Sequence, residues 1–221
     1  MVANPPKPIS VAVERGSQKC FAFALDWPGW CRSAKTEEIA LELLAKYAQR
    51  YAPIAAAAGE RLPMNAGVVV VERLVGGTTT DFGAPQSIAE YHCVPLTNNT
   101  VERLTGLLAA AWSAFDAVAA NSSSALQRGP RGGGRDRDNI VSHINEAEQG
   151  YCTSLGISRR GPMAVNTSDT AARRASILDA VRSAAIEGNE STKWPMPYAV
   201  HRLAWHVVDH LWEIEDKQML R

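Results

Sequence analysis

The stretch AWHVVDHLWEIED, residues 204–216, sets His206 and His210 four positions apart in an otherwise apolar run. On a helix such residues lie one above the other, about 6 Å along the axis, so both imidazoles can point at one atom. A third histidine, His143, shares the apolar face of another helix with Ile140, Ile144 and Ala147, where an unpaired imidazole is costly. Three inward nitrogens from two helices suit a divalent ion, with zinc or nickel expected first and copper or iron also accepted. Three protein ligands leave one coordination position for water or substrate. The competing reading, three core histidines bonded to backbone or carboxylates, stays open at this point.

Acidic residues accompany the histidines. Asp209 and Glu213 share the helix of His206 and His210, and ligating histidines usually hand their second N–H to a carboxylate. Glu146, one turn after His143, is a candidate fourth ligand or such a partner. The loop RGPRGGGRDRD, 128–138, supplies Arg131, Arg135 and Arg137 as candidate anchors for an anionic substrate, because guanidinium forks bind carboxylate or phosphate bidentately. The alternative is a loop paired internally through Asp136 and Asp138. It lacks the residue order of a phosphate-binding loop. His92 reads as an exposed residue of a connecting segment. His201, five positions before His206, turns off that face towards a surface or supporting role.

The elements that must position these groups are legible in the periodicity. SVAVERG (10–16) and KCFAFALDWP (19–28) alternate as half-buried strands, and GVVVVERLV (67–75) reads as another. Between them Thr36, Glu37 and Glu38 open an Ala/Leu-rich helix that Gly59 stops. Residues 77–96 have the composition of a linker. Four amphipathic helices follow. The first carries Val101, Leu104, Leu108, Ala111, Trp112, Phe115 and Val118. The second spans about 136–155 with His143 on its inner face. The third, capped by Thr167 or Ser168, is expected to bury Ala171, Ala175, Leu178, Val181 and Ala185. The fourth runs from Pro197 to about Lys217. The expected fold class is α+β: a small α/β unit over 1–76, the linker, and a four-helix bundle over 97–221.

An inward histidine in SHINEAE, followed two helices later by WHVVDH, resembles the DinB/YfiT-like superfamily of up-and-down four-helix metalloproteins across residues 97–217. That resemblance implies His143, His206 and His210 as the metal ligands. It also implies a low-molecular-weight thiol of the mycothiol type as cosubstrate, in a transferase, isomerase or hydrolase reaction for which the metal activates thiol or water. Residues 9–75, including CFAFALDWPGWCRSAKTEEIALELLAKYAQRYA, are similar to the HicB-like antitoxin fold. A non-catalytic module, in which that unit recruits a partner and the bundle is scaffold, is the alternative function.

Composition narrows the partners. The 221 residues carry 23 Lys and Arg against 23 Asp and Glu, a formal net charge of +0, which gives no reason to expect nucleic acid. No run approaches the roughly 18 apolar residues of a membrane span. The cysteines, Cys20, Cys31, Cys93 and Cys152, lack metal or disulfide spacing and read as small core residues. Trp205 and Trp212, seven apart, mark a face for packing on the N-terminal unit. The expectation is a cytoplasmic protein acting on a small molecule, with a homodimer left open.

Overall fold

The structure is a computed structural model and describes residues 7–128, 134–157, 168–187 and 193–218. It is a mixed α+β chain. Strands β1 (Ile9–Arg15), β2 (Cys20–Ala24) and β3 (Cys31–Ala34) form an antiparallel meander, and β4 (Val68–Val75) lies parallel to β1, giving the order β3-β2-β1-β4. The strands expected over 10–16, 19–28 and 67–75 are present. The third strand was not legible, because CRSA has only four residues and follows a turn.

β2 is buried on both faces rather than half-buried. Val11, Val13, Ala22 and Ala24 face the main core, while Ala12, Phe21 and Phe23 face a second cluster with Trp205. The Trp27-Pro28-Gly29 turn lies directly on the C-terminal helix. A Cβ at Gly29, whose φ is +91°, would meet Val208 Cγ2 at 2.9 Å and the Ala204 carbonyl oxygen at 3.0 Å. Close approach and positive φ both require glycine there.

Where one helix was expected between Thr36 and Gly59 there are two, α1 (Glu37–Lys46) and α2 (Ala48–Ala57), interrupted at Tyr47. The Tyr47 ring stacks edge-on against Trp212, 4.8 Å between centroids, and carries the Arg32 guanidinium 4.2 Å above it. At the far end the Glu60 N–H reaches the Ala55 carbonyl and Gly59 has φ +76°, the glycine stop read from sequence.

Residues 77–96 are packed. A short helix, α3 (Thr78–Phe82), and a 3-10 turn at Glu90–Cys93 are pinned by two carboxylates. Asp81 accepts from the backbone N–H of Ser17, Gln18 and Lys19 at 3.1, 2.7 and 3.2 Å. Glu14, buried in β1, accepts from Thr80 Oγ1 and from the N–H groups of Gln86 and Ser87, each at 2.9 Å.

Helices α4 (Asn98–Asn121), α5 (Arg137–Ser154), α6 (Thr170–Glu187) and α7 (Met196–Lys217) pack on one another and share one apolar core with the sheet. The expected stripe of α4 is buried apart from Val118, which is half-buried. Trp205 meets Phe21 edge-on and Trp212 meets Tyr47, so both tryptophans do contact the N-terminal unit.

α6 differs from the sequence reading. Ala171 and Ala175 are exposed, and its buried face is Arg173, Ile177 and Val181; the side chain of Ala185 and the whole of Thr167 lie outside the described residues. Asp169, rather than Ser168, accepts from the Ala172 N–H at 2.9 Å at the helix start. The physical reason is a buried charge. Arg173, 0% exposed, donates to Glu148 of α5, 1% exposed, at 3.0 Å, and Trp112 Nε1 of α4 donates to the same carboxylate at 2.8 Å. An apolar periodicity cannot see a helix whose inward side is an arginine.

Arg174 Nε also reaches Glu148 at 3.4 Å, so losing Arg173 leaves the buried carboxylate partly compensated, at a cost towards the lower end of the about 3–5 kcal/mol typical of a broken buried pair. Arg173→Met is expected to lower unfolding free energy by that order in a denaturant titration, and the double variant Arg173→Met/Glu148→Gln to recover most of it.

Candidate metal centre

His143 projects from the first half of α5, and His206 and His210 from successive turns of α7. Their candidate ligand atoms lie within 4.8 Å of one another, the one such group of histidine, cysteine or acidic side chains among the described residues. His143 Nε2 and His206 Nε2 are 3.0 Å apart. Two nitrogens bound tetrahedrally to zinc at about 2.05 Å would be roughly 3.3 Å apart, so this pair sits at near-ligating separation. The three rings meet edge-on, with centroids 4.9 to 5.1 Å apart.

The side chains are set for coordination by their surroundings. His206 is 8% and His210 9% exposed. Burial, reinforced by the neighbouring histidines and by Arg202 and Arg135, pushes the His206 pKa down to about 2, and burial lowers that of His143 as well. Both are therefore neutral near pH 7, the form a metal ligand needs. His210 donates through Nδ1 to Glu213 Oε2 at 2.6 Å, which leaves Nε2 for the centre. That bond holds the Glu213 carboxyl down at about 2, with Lys217 adding to the effect from its other oxygen. This is the carboxylate–histidine arrangement that fixes ring orientation at metal sites. The donor set thus fits a divalent ion, with a preset tautomer at one ligand and three nitrogens.

The other sequence candidates are placed as follows. Glu213 is the histidine partner. Asp209 instead bridges to Arg32 of β3 at 3.2 Å and ties α7 to the sheet. Glu146 is exposed and acts on His143 only through its charge. Arg137 donates to the carbonyls of Ala119 and Ser122 at 3.1 and 2.7 Å and to Asp138 at 2.8 Å, so it caps the end of α4 rather than reaching the histidines. Arg135 is exposed and close enough to lower the pKa of His143. Arg131 lies outside the described residues.

An aromatic wall beside His206 escaped the sequence reading. Trp205 stacks on His206 at 5.6 Å, Tyr151 stands 6.1 Å from it, and Trp194 leans on Tyr151 at 5.3 Å. Arg202 lies over both Trp205 and Tyr151 and donates to the Pro85 carbonyl. Its position, one turn before His206 in the series 198, 202, 206, 210, is the signal that would have found it.

His92 and His201 correct the sequence reading more sharply, being 2% and 7% exposed. The linker histidine is buried because the 3-10 turn folds onto the sheet, where its ring stacks on Phe23 at 6.0 Å and lies 4.8 Å from His201. Both line a cavity of about 30 Å³ with Phe23, Trp30, Arg202 and Trp205. That space holds one or two waters. Cys31, also there, has its thiol pKa raised by burial; Cys20 and Cys152 are buried too, whereas Cys93 is exposed, and no disulfide joins the four.

The chain matches no protein-family model, and neither a curated protein nor a solved structure matches it. No described helix is long and apolar enough to cross a membrane.

Burial pushes the His92 pKa down to about 4 and holds that of His201 well below its ordinary value. Below the ordinary value of about 6.5 the unfolded chain binds protons that the folded chain refuses, so stability present above pH 6.5 is lost as pH falls towards 4. His92 alone accounts for about 3 kcal/mol of that loss. Urea titrations at pH 7 and 4.5 are expected to differ markedly for the parent chain, and by less for His92→Gln.

Proposed function

We propose that the protein binds one divalent metal ion through His143, His206 and His210 and uses it on a small anionic substrate. The observation that carries the reading is the convergence of three imidazoles, one of them already oriented by Glu213. As core histidines, His143 and His206 satisfy each other through Nε2 at 3.0 Å and His210 bonds Glu213; what supports a resident ion is that the candidate ligand atoms of all three meet within 4.8 Å. When bound, such an ion supplies Lewis acidity and lowers the pKa of a coordinated nucleophile. Arg135 and the aromatic wall beside His206 supply charge and apolar surface on which substrate can be held.

The finer readings rest on resemblance: histidines on the second and fourth of the helices α4 to α7 follow the DinB-like order, and a strand, a Trp-Pro-Gly turn and a Thr36-capped helix follow the HicB-like pattern. With the DinB-like reading goes a low-molecular-weight thiol as cosubstrate in a cytoplasmic enzyme. Three ligands rather than four favour catalysis over a purely structural ion.

Metal analysis of tag-free protein is expected to find close to one zinc or nickel per chain, and none in the double variant His206→Ala/His210→Ala. Glu213→Gln should weaken metal affinity about 10- to 100-fold while leaving stoichiometry at saturation unchanged. A parent chain that takes up no metal, even on reconstitution, would overturn the reading.

A further inference from the structure

α7 presents Tyr198, Arg202, His206 and His210 at successive four-residue steps, one above the next on a single face. Arg202 is held in place on three sides. Its guanidinium lies 4.6 Å over Trp205 and 5.8 Å over Tyr151, and Nη1 donates to the Pro85 carbonyl. No carboxylate pairs with it among the described residues, and its remaining N–H groups are not buried. A half-buried guanidinium fixed by stacking, with donors to spare, is ready to receive a planar anion at little ordering cost.

Arg135, in the loop before α5, is exposed and also without a carboxylate partner among the described residues, although four of its neighbours in the same loop and helix start are paired. Glu213, hydrogen-bonded to His210, is already engaged by His210 and Lys217.

We infer that Arg202 anchors a carboxylate, so that the site takes a small carboxylic acid with a flat or apolar body. This rests on the metal reading above for its location, not for its binding. The guanidinium fork matches the two oxygens of a carboxylate, and the rings it stacks on, Trp205 and Tyr151, make its surroundings apolar. Arg202 is distinct from the arginines of the Gly/Arg loop and belongs to the metal-bearing helix itself.

The test is calorimetric titration of benzoate, and separately of inorganic phosphate, into the full chain in metal-free and zinc-loaded forms. Benzoate is expected to bind both forms, more tightly with zinc, and Arg202→Gln to weaken it tenfold or more in both while zinc content stays at the parent level. Arg135→Gln should weaken it less. Arg202→Lys keeps the charge without the fork and should fall between parent and Arg202→Gln, which separates anchoring from a packing defect. Equal benzoate affinity in parent and Arg202→Gln, tighter binding of phosphate than of benzoate, or no benzoate binding by either parent form would overturn the inference. Failure of the parent to take up zinc would contradict the metal reading alone, since the metal-free titration still reads Arg202.

Discussion

Helix α7 is buried on nearly every side. Sixteen of its 22 residues are buried, so it is a core helix rather than an amphipathic surface one, and both halves of the chain are organised by what they pack against it. The Trp-Pro-Gly turn, Trp205 and Trp212 join it to the sheet and its helices, while α4, α5 and α6 cover the rest. Apolar burial of that extent holds the helix rigidly enough to keep imidazoles and a guanidinium, which would prefer water, on an interior face. The histidine cluster follows from that constraint. Its geometry is set by a helix that has nowhere else to go.

One of the three histidines comes from a different helix, and its placement depends on a second network. α5 is a weakly apolar helix, yet Glu148, one and a half turns beyond His143, is fixed by Trp112 of α4 and Arg173 of α6. A buried carboxylate that accepts from Trp112, Arg173 and Arg174 is costly to form and costly to disturb, so it serves register better than it serves stability. It locks α5 against rotation, which is the motion that would carry His143 away from His206. Arg137, capping the last turn of α4, fixes the start of the same helix. On the other flank, Asp209 and Arg32 tie α7 to β3, so a carboxylate adjacent in sequence to His210 serves the sheet and not the ion.

The histidine cluster was legible because each imidazole sits at helical spacing among aliphatic residues, a pattern that projects directly onto a face. The same logic failed where charge or shortness breaks periodicity. Arg173 turned α6 about a quarter from its expected face, because a paired arginine can occupy a core position that a hydrophobic count assigns to alanine. Strand β3 has four residues and no alternation to read. His92 reads as exposed because it lies in a segment of linker composition, and His201 as surface or supporting because its five-residue step turns it off the face of His206; the folding of 77–96 back onto the sheet, through Glu14 and Asp81, buries His92 against His201. Arg202 was passed over for the opposite reason. Its four-residue step to His206 was visible, but the stacking on Trp205 and Tyr151 that fixes its direction joins two helices and has no sequence signature.

The measurement that bears most directly on this account is X-ray absorption at the zinc edge of the loaded, tag-free chain, which counts and identifies the atoms around the ion. The account predicts three imidazole nitrogens at about 2.0 Å and one further light atom, with imidazole scattering reduced when His143 is replaced by alanine. A sulfur shell, or an environment unchanged in that variant, would place the ion elsewhere and leave the three histidines as packing.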